Sequence, residues 1–374
     1  MARRYPQVAA LLAALTLVGC ADLPYYQQAA AGQFELWQKS HPIEQWLADP
    51  QTSEHLRARL VRVQQIRAFA SQALGLPDNQ SYRGFADVQR PFLVWNVFAA
   101  PELTMTAKEW CFPIAGCVTY RGYFAEAPAL TLARDLAADG YDTYVGGVPA
   151  YSTLGWFADP VPSTVIDYAD IDLARLMFHE LAHQVVYVPG DTTFNESFAS
   201  MVEREGARRW TLTQGPASAR EALEHSLTRE ARFTGLVLTA RKQLTAVYEG
   251  TDDAANKRAA KRRILNALSA DYAHDGKAWD PRGRYARWFA GPINNAQIAA
   301  VASYTERLPA FQAMLALADD DLTRFYAQVR DLGRLPASER RRRLDALQGP
   351  FSLDVVQLAR SPRPATLVPR GVAP

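Results

Sequence analysis

The sequence predicts an α+β fold that is predominantly α-helical and contains a small mixed β-sheet. Two observations lead to this class. Apolar residues recur at helical spacing over residues 24–77 and almost everywhere from Asp170 onward, whereas short β-prone runs are concentrated in residues 84–157. The 374 residues, of which 48% are hydrophobic, suit one large domain or two smaller ones and exclude wholesale disorder.

The elements can be assigned in order along the chain. Ser53 is a predicted N-cap inside the first helical region, and one helix between the strands should end near Gly140. Residues 351–374 are rich in Pro, Arg and Ala and are predicted to form a flexible tail after a domain that spans residues 20–350. The predicted strands are residues 92–99, 118–123, 141–148 and 152–157, and the predicted later helical segments are residues 126–138, 216–248, 252–271 and 294–332.

The first 19 residues are typical of a lipoprotein signal peptide. Arg3 and Arg4 precede an apolar run over residues 8–19, which is much shorter than the ~20 residues that span a bilayer. The run ends in Leu-Val-Gly-Cys20, which resembles a bacterial lipobox and predicts acylation of Cys20. Ala21 rather than Asp follows the cysteine, which resembles the Gram-negative sorting signal for the outer membrane and implies an anchor there that faces the periplasm. An ordinary signal peptide with a chance cysteine is the alternative.

The charge content bears on possible binding partners, and the cysteine content bears on disulfide formation. Lys and Arg number 41 against 39 Asp and Glu, so the clear basic excess of nucleic-acid binders is missing and no nucleic-acid partner is predicted. Besides Cys20, only Cys111 and Cys117 remain, with Pro113 and Gly116 able to turn the chain between them. In an oxidising periplasm we expect these two to form a disulfide. Two reduced buried cysteines, or a metal-binding pair, are the alternatives.

The residues His-Glu-Leu-Ala-His at 179–183 are the strongest chemical signal. On a helix, His179 and His183 lie one turn apart on one face, where both imidazoles can bind an ion at about 2.0–2.1 Å. Glu180 projects about 100° around the helix, where it can exchange a proton with a water activated by the metal. The opposite apolar stripe consists of Leu173, Met177, Leu181 and Val185.

A site with two histidines needs a third protein ligand, and Glu196 is the first candidate. Pro189 and Gly190 should turn the chain, and Thr192 or Thr193 should cap a second helix that carries Glu196. Three alternatives to Glu196 as the ligand remain open. Thr193 and Glu196 match a capping box, in which the glutamate only binds a backbone N–H. Glu203 could be the ligand instead, or could hold the free N–H of a ligand histidine, and Asp191 is a third option.

The motif in context resembles a known family. His-Glu-Leu-Ala-His followed by Asn-Glu-Ser-Phe-Ala at 195–199 resembles the glutamate-zincin metallopeptidases. More narrowly, residues 111–124, 179–199 and 294–296 resemble a bacterial family named putative aminopeptidase lipoproteins. The resemblance implies a zincin-like fold with the small sheet before the HExxH helix. It also implies Zn²⁺ on His179, His183 and Glu196, with Glu180 as general base and acid.

The sequence therefore predicts a zinc-dependent, membrane-anchored peptidase whose substrate is a peptide. An oxyanion donor is expected from Tyr151, Tyr187 or Tyr304, and Tyr304 is preferred because it lies in an apolar helical region. The predicted strand at residues 152–157 is the candidate edge for the substrate backbone. The alternatives are a cell-wall peptide amidase or endopeptidase, and a non-catalytic zinc lipoprotein such as a chaperone or assembly factor.

Overall fold

The computed structural model describes residues 23–113, 115–215 and 217–348. The predicted signal peptide, Cys20 and the tail at 351–374 lie outside the described residues. Within them no helix is long and apolar enough to cross a bilayer.

The described helices are α1 (Leu23–Lys39), α2 (Ile43–Ala48), α3 (Glu54–Gln72), α4 (Glu126–Ala138), α5 (Asp170–Ala182), α6 (Thr192–Thr213), α7 (Ala217–Glu249), α8 (Ala254–Trp279), α9 (Ala286–Phe289), α10 (Asn295–Thr305), α11 (Leu308–Leu317), α12 (Leu322–Gly333) and α13 (Ala337–Gln348).

The strands all precede α5 and form small sheets, so the α+β class is observed. They are β1 (Ser40–Pro42), β2 (Gly84–Ala86), β3 (Val94–Pro101), β4 (Trp110–Phe112), β5 (Gly116–Val118), β6 (Arg121–Tyr123), β7 (Tyr141–Val148) and β8 (Val161–Pro162). Instead of the one mixed sheet that was predicted, the described strands form a mixed sheet β1-β2-β8, an antiparallel sheet β6-β3-β7 and a β4-β5 hairpin. Strand pattern alone cannot specify the partner of a short strand, which is why the number of sheets was wrong.

Local signals set several boundaries. The Ser53 side chain accepts a hydrogen bond from the Leu56 backbone N–H and begins α3, as predicted. Helix α4 covers the predicted residues, and Gly140 with φ of 86° turns the chain into β7. The predicted strand at 152–157 is wrong, because Leu154 and Gly155 have φ of 58° and 80° and the segment is a loop.

The central sheet lies between a helix and the site. Along β3, Trp95, Val97 and Ala99 belong to a core cluster with residues of α4. Side chains alternate across a strand, so Val94 and Asn96 project from the other face, where they line a cavity that α5 also lines. The sheet is therefore held from behind by α4 and presents its other face to the HExxH helix.

Helices α5 and α6 pack directly on one another in the main apolar core. Leu173, Met177 and Leu181 of α5 are fully buried, as the predicted stripe requires, whereas Val185, its fourth member, lies in the turn after the helix and is half-buried. Phe194 and Phe198 of α6 belong to the same cluster. The two helices pack tightly at Gly206, where an added Cβ would lie 2.6 Å from Phe178 Cδ2 on α5 and 2.8 Å from Leu74 Cδ1. This close approach fixes the separation of the two helices that carry the predicted ligands.

We expect Gly206→Ala to destabilise the fold, because the added methyl must displace buried side chains, at a cost of about 1–3 kcal/mol. Gly235→Ala is the matched control, because Gly235 is also helical but has nothing within 4 Å of its added Cβ. That control should gain about 0.5–1 kcal/mol. Urea unfolding measures both changes. Equal stability of Gly206→Ala and wild type would contradict the close packing.

Candidate metal centre

Helix α5 presents both histidines of the motif to one cavity. Asp170 and Asp172 lie in its first turn, where carboxylates stabilise the positive end of the helix dipole. His179 lies in its last turn, and His183 follows the last helical residue with helical backbone angles. The two imidazole centroids are 5.0 Å apart. The one-turn spacing therefore brings the rings together on one face, as the motif predicts.

The second helix begins one residue earlier than expected. Asp191, and neither Thr192 nor Thr193, is the N-cap of α6, and its carboxylate accepts a hydrogen bond from the Phe194 N–H at 3.1 Å. Glu196 is consequently the fifth residue of the helix and not at the capping-box position, so that alternative is wrong. Asp191 is occupied by the cap and by Arg340, whose Nε lies 2.8 Å from its Oδ2.

A side-chain clamp fixes the turn between the two helices. The Asn195 amide donates to the Val188 carbonyl oxygen at 2.9 Å and accepts from the Val188 N–H at 2.8 Å. This pair of hydrogen bonds ties the turn to α6 one residue before Glu196. The carboxylate of Glu196 is thereby directed at the histidines.

One oxygen of Glu196 faces both imidazoles. Glu196 Oε2 lies 3.2 Å from His179 Nε2 and 3.6 Å from His183 Nε2. All three residues are buried, and they form a cluster of candidate metal ligands among the described residues. Two atoms bound to one zinc ion at about 2.0–2.1 Å in tetrahedral geometry lie about 3.3–3.4 Å apart. The observed separations therefore fit one zinc-sized ion shared by the three donors.

Charge balance also fits a cation at this point. His179 faces carboxylates on both sides, because its Nδ1 lies 3.1 Å from Glu203 Oε2. A neutral imidazole has a single N–H, so it can donate to only one of the two. The carboxylate that receives no N–H from the ring needs a positive charge opposite it. That charge is either a second proton on the ring or a bound cation. Although burial opposes protonation, Glu196 and Glu203 raise the pKa of His179 well above its ordinary value.

Glu196 keeps its negative charge in this setting. Burial alone would raise its pKa, but His183 and His179 lower the pKa of Glu196 to about 2. The His183 Nδ1 is buried with no hydrogen-bond partner among the described residues, so this ring is held by packing instead of a carboxylate. The donor set therefore consists of one ionised carboxylate and two imidazoles, a combination that suits zinc.

Glu203 supports His179 from behind. Its Oε1 accepts a hydrogen bond from Arg175 Nε at 2.7 Å, and Arg175 Nη2 donates to Glu230 at 2.8 Å. Glu230 also accepts from Arg204 Nη2 at 2.8 Å. The chain of ion pairs fixes Glu203 against the Nδ1 side of His179, away from the side that faces Glu196. Of the two roles predicted for Glu203, this position suits the orienting one.

Glu180 lines the same cavity, and its carboxylate is unpaired within the described chain. No hydrogen bond or ion pair joins its carboxylate to another residue of the described chain. Burial, with further contributions from Glu196 and Asp159, raises the pKa of Glu180 to about 7 despite the opposing histidines. A partly buried, unpaired carboxyl with such a pKa can accept and release a proton near neutral pH.

The tyrosines differ in what their hydroxyls contact. Tyr187 donates to the Ala115 carbonyl oxygen at 3.1 Å, and Tyr151 donates to Gln33. Tyr304, on α10, stacks on His179 with centroids 6.0 Å apart and has no hydrogen bond to another described residue. Tyr120 shares the cavity and is likewise not hydrogen-bonded within the described chain. Burial raises the pKa values of Tyr120 and Tyr304 well above 10, so both remain neutral donors.

The cavity has a volume of about 610 Å³ and is mainly apolar and aromatic. Its floor is the face of the central sheet that carries Val94 and Asn96, and α1, α5, α6, α10, the β4-β5 hairpin and the loop at 152–157 also line it. Asn96 is 7% exposed and is a polar group on that floor. The apolar and aromatic lining includes Tyr25, Val94, Phe112, Val118, Phe124, Val148, Leu154 and Leu176.

The Cys111–Cys117 pair supports one side of the cavity. The structure joins these residues in a disulfide that closes the β4-β5 hairpin. The hairpin tip rests on the turn after α5, where a Cβ at Gly116 would lie 2.6 Å from the Gly190 backbone nitrogen. Gly116 has φ of 72°, a conformation that glycine adopts without strain. The disulfide therefore holds a wall of the site against the turn that positions Glu196.

Comparison with known proteins gives one result. A family model described as Putative aminopeptidase matches residues 24–344. The chain belongs to that family. No curated protein and no solved structure matches the chain. The residues matched to the putative aminopeptidase family include both helices of the metal centre, the central sheet and Tyr304.

Three residues at or behind the candidate site were not identified from the sequence. Tyr120 lies in a short connection between two strands, and only the sheet topology brings it to the cavity. Arg175 precedes His179 by one helical turn, a spacing that could have identified it as a neighbour. Glu230 lies on the distant helix α7, and no local pattern distinguishes it from the other charged residues of that helix.

The ion-pair network gives a pH-dependent prediction. Burial would raise the pKa of Glu230, but Arg204 and Arg175 lower it to about 2. Folding lowers this pKa, so ionised Glu230 stabilises the fold above about pH 4.5, and this contribution disappears as the pH falls toward 2. Glu230→Gln should therefore reduce the free energy of unfolding by about 3 kcal/mol at neutral pH, and by progressively less below about pH 4.

Urea unfolding across this pH range is the measurement, and Glu224→Gln, an exposed change on the same helix, is the control. A deficit in Glu230→Gln that stays constant on acidification would contradict the network's role.

Proposed function

We propose that this chain is a zinc-dependent peptidase of the zincin-like type. His179, His183 and Glu196 would hold the ion. The observation that carries the proposal is the position of one Glu196 oxygen, which lies 3.2 and 3.6 Å from the two imidazole Nε2 atoms. The match to the putative aminopeptidase family supports a peptidase, and the donor set supports the metal.

Zinc in such a site supplies a Lewis acid that polarises a carbonyl and makes a water acidic enough to react near neutral pH. Glu180 is the residue of this chain that moves protons. Its unpaired carboxylate accepts the proton of the attacking water, and the same carboxyl then delivers a proton to the leaving amine nitrogen. Burial raises the pKa of this carboxyl above its ordinary value, which favours its use as a proton carrier.

Tyr304 is the residue proposed to stabilise developing negative charge on the substrate oxygen. Its ring is fixed against His179, and its neutral hydroxyl can donate a hydrogen bond into the cavity. Tyr187 and Tyr151 are less suitable, since their hydroxyls already donate to Ala115 and Gln33. Tyr120 offers a second hydroxyl with no hydrogen bond in the described chain, and its ring packs in a cluster with Ala296 and Ala300 of α10.

The cavity suits a peptide with an apolar side chain. Its aromatic lining removes such a side chain from water, and burial of apolar area contributes about 25 cal/mol per Å². The unpaired Glu180 and the cavity beside it argue against a non-catalytic zinc lipoprotein, since a structural zinc site is closed and needs no proton acceptor. We place the protein on the outer membrane, facing the periplasm, through acylated Cys20.

A pair of isosteric substitutions separates metal binding from catalysis. Glu196→Gln should lose zinc, because it removes the ionised ligand, and it should lose peptide cleavage with it. Glu180→Gln should keep about one zinc per chain, yet lose about 10²–10⁴-fold in kcat, because only the proton acceptor is missing. Zinc content by mass spectrometry and cleavage of a peptide library are the two measurements.

The exposed change Glu126→Gln is the control and should alter neither value. Full cleavage by Glu180→Gln would overturn the proposed mechanism. Zinc retained in Glu196→Gln but lost in Glu203→Gln would show that the ligand is the other carboxylate.

The tyrosine assignment is tested with conservative changes. Tyr304→Phe should lower kcat by about 10²–10³-fold with KM and zinc content unchanged, because the lost hydrogen bond forms only as charge develops. Tyr187→Phe keeps the ring and removes a hydroxyl that is already bonded to Ala115, so it should stay close to wild type. Steady-state kinetics on one peptide give the comparison. If Tyr120→Phe lost the activity and Tyr304→Phe did not, the donor would be Tyr120.

A further inference from the structure

Helix α1 is apolar on two sides. Its inner side packs on the body of the protein through Leu36 and through Gly32, where an added Cβ would lie 2.0 Å from Phe124. Its outer side exposes four large apolar residues, Leu23, Tyr26, Phe34 and Trp37, by 41–56%. At 100° per residue these four lie within about 80° of each other around the helix. They form a stripe about 21 Å long that faces solvent.

A loop extends this stripe. Trp156 and Phe157 are 66% and 45% exposed, and the Phe157 ring packs edge-to-face on Trp37 with centroids 4.6 Å apart. We name the six residues the aromatic face: Leu23, Tyr26, Phe34, Trp37, Trp156 and Phe157. Contiguous exposed apolar surface of this kind marks an interaction site.

The aromatic face is nearly free of charge. Residues 23–34 contain no acidic or basic side chain. Further along α1, Glu35 is neutralised by Lys39 at 2.7 Å and by Arg90 at 3.1 Å. The face therefore carries no charge pattern that would select a polar protein surface. Its tryptophans and tyrosine are the residues enriched where proteins meet the headgroup region of a bilayer.

We infer that the aromatic face lies on a lipid bilayer, with α1 parallel to its plane. The argument depends on the position of α1 in the chain. Leu23 follows Cys20, the predicted acylation site, by three residues, a span of at most about 10 Å. An acylated Cys20 would hold the first turn of α1 at the membrane surface. A helix with an exposed apolar stripe then gains free energy by burying that stripe in the interface.

Docking in this way would bring the cavity close to the bilayer. Both segments that carry the aromatic face also line the cavity, α1 through Tyr25 and Ala29 and the loop through Ser152 and Leu154. Peptides that lie on the membrane surface would then be the favoured substrates. This consequence rests on the proposed peptidase function, whereas the docking itself does not.

The test uses the tryptophans of the aromatic face as probes. The full chain, produced with its anchor, is reconstituted into phosphatidylethanolamine–phosphatidylglycerol vesicles whose acyl chains carry bromine, which quenches tryptophan fluorescence on contact. We expect wild type to be quenched. The double variant Trp37→Phe, Trp156→Phe should lose most of that quenching. Trp288→Phe is the matched control, because Trp288 is half-buried in a separate cluster, and it should retain the quenching.

Three results would overturn the inference. One is an unquenched wild type, and another is quenching that survives in the double variant. The third is a dimer in detergent that becomes a monomer when Phe34, Trp37, Trp156 and Phe157 are changed to serine, which would show that the face covers a second copy. Cleavage of a soluble peptide, measured on the same samples, reports on the peptidase separately. A chain that is quenched but cleaves neither a soluble nor a vesicle-bound peptide would reject the peptidase and keep the docking.

Discussion

The site depends on one buried carboxylate oxygen placed between two imidazoles. Glu196 comes from α6 and the histidines from α5, so the geometry exists only if these two helices keep their separation and relative rotation. Gly206 permits their close approach, and the Asn195 clamp fixes the turn between them. Burying two carboxylates against His179 is costly without a compensating positive charge. This electrostatic argument supports the proposal that the site binds a cation.

Three parts of the surrounding structure hold the site residues in position: an ion-pair network, the disulfide hairpin and the central sheet. Arg175 pairs with Glu203 and fixes it behind His179, and Glu230 and Arg204 continue this chain of ion pairs, so that the ring of a candidate ligand is oriented by a carboxylate. The disulfide hairpin rests on the turn that precedes α6, and the central sheet provides an apolar floor. Among the described acidic residues of the cavity centre, Glu180 is left unpaired. In the proposed mechanism, the residue that binds the ion and the residue that transfers the proton are therefore neighbours on one helix.

Much of this was predictable from the sequence, and the failures have physical causes. The spacing of His179 and His183 specifies their shared face, because an α-helix has 3.6 residues per turn. The capping of α6 was not predictable, since Asp191, Thr192 and Thr193 are all good N-caps that differ by less than about 1 kcal/mol. Residues 152–157 have the apolar pattern of a strand, but Leu154 and Gly155 have positive φ, and Asp159 accepts hydrogen bonds from the Thr153 backbone N–H and hydroxyl that close the segment into a loop. Tyr120 reaches the site through sheet topology alone.

The central claim is that His179, His183 and Glu196 bind one zinc ion. Zinc-edge X-ray absorption on the purified full chain tests it most directly. We predict one equivalent of zinc with two imidazole nitrogens and a carboxylate oxygen at about 2.0–2.1 Å and no sulfur in the coordination sphere. A sample without zinc, or a spectrum with sulfur or fewer than two imidazole ligands, would contradict the account.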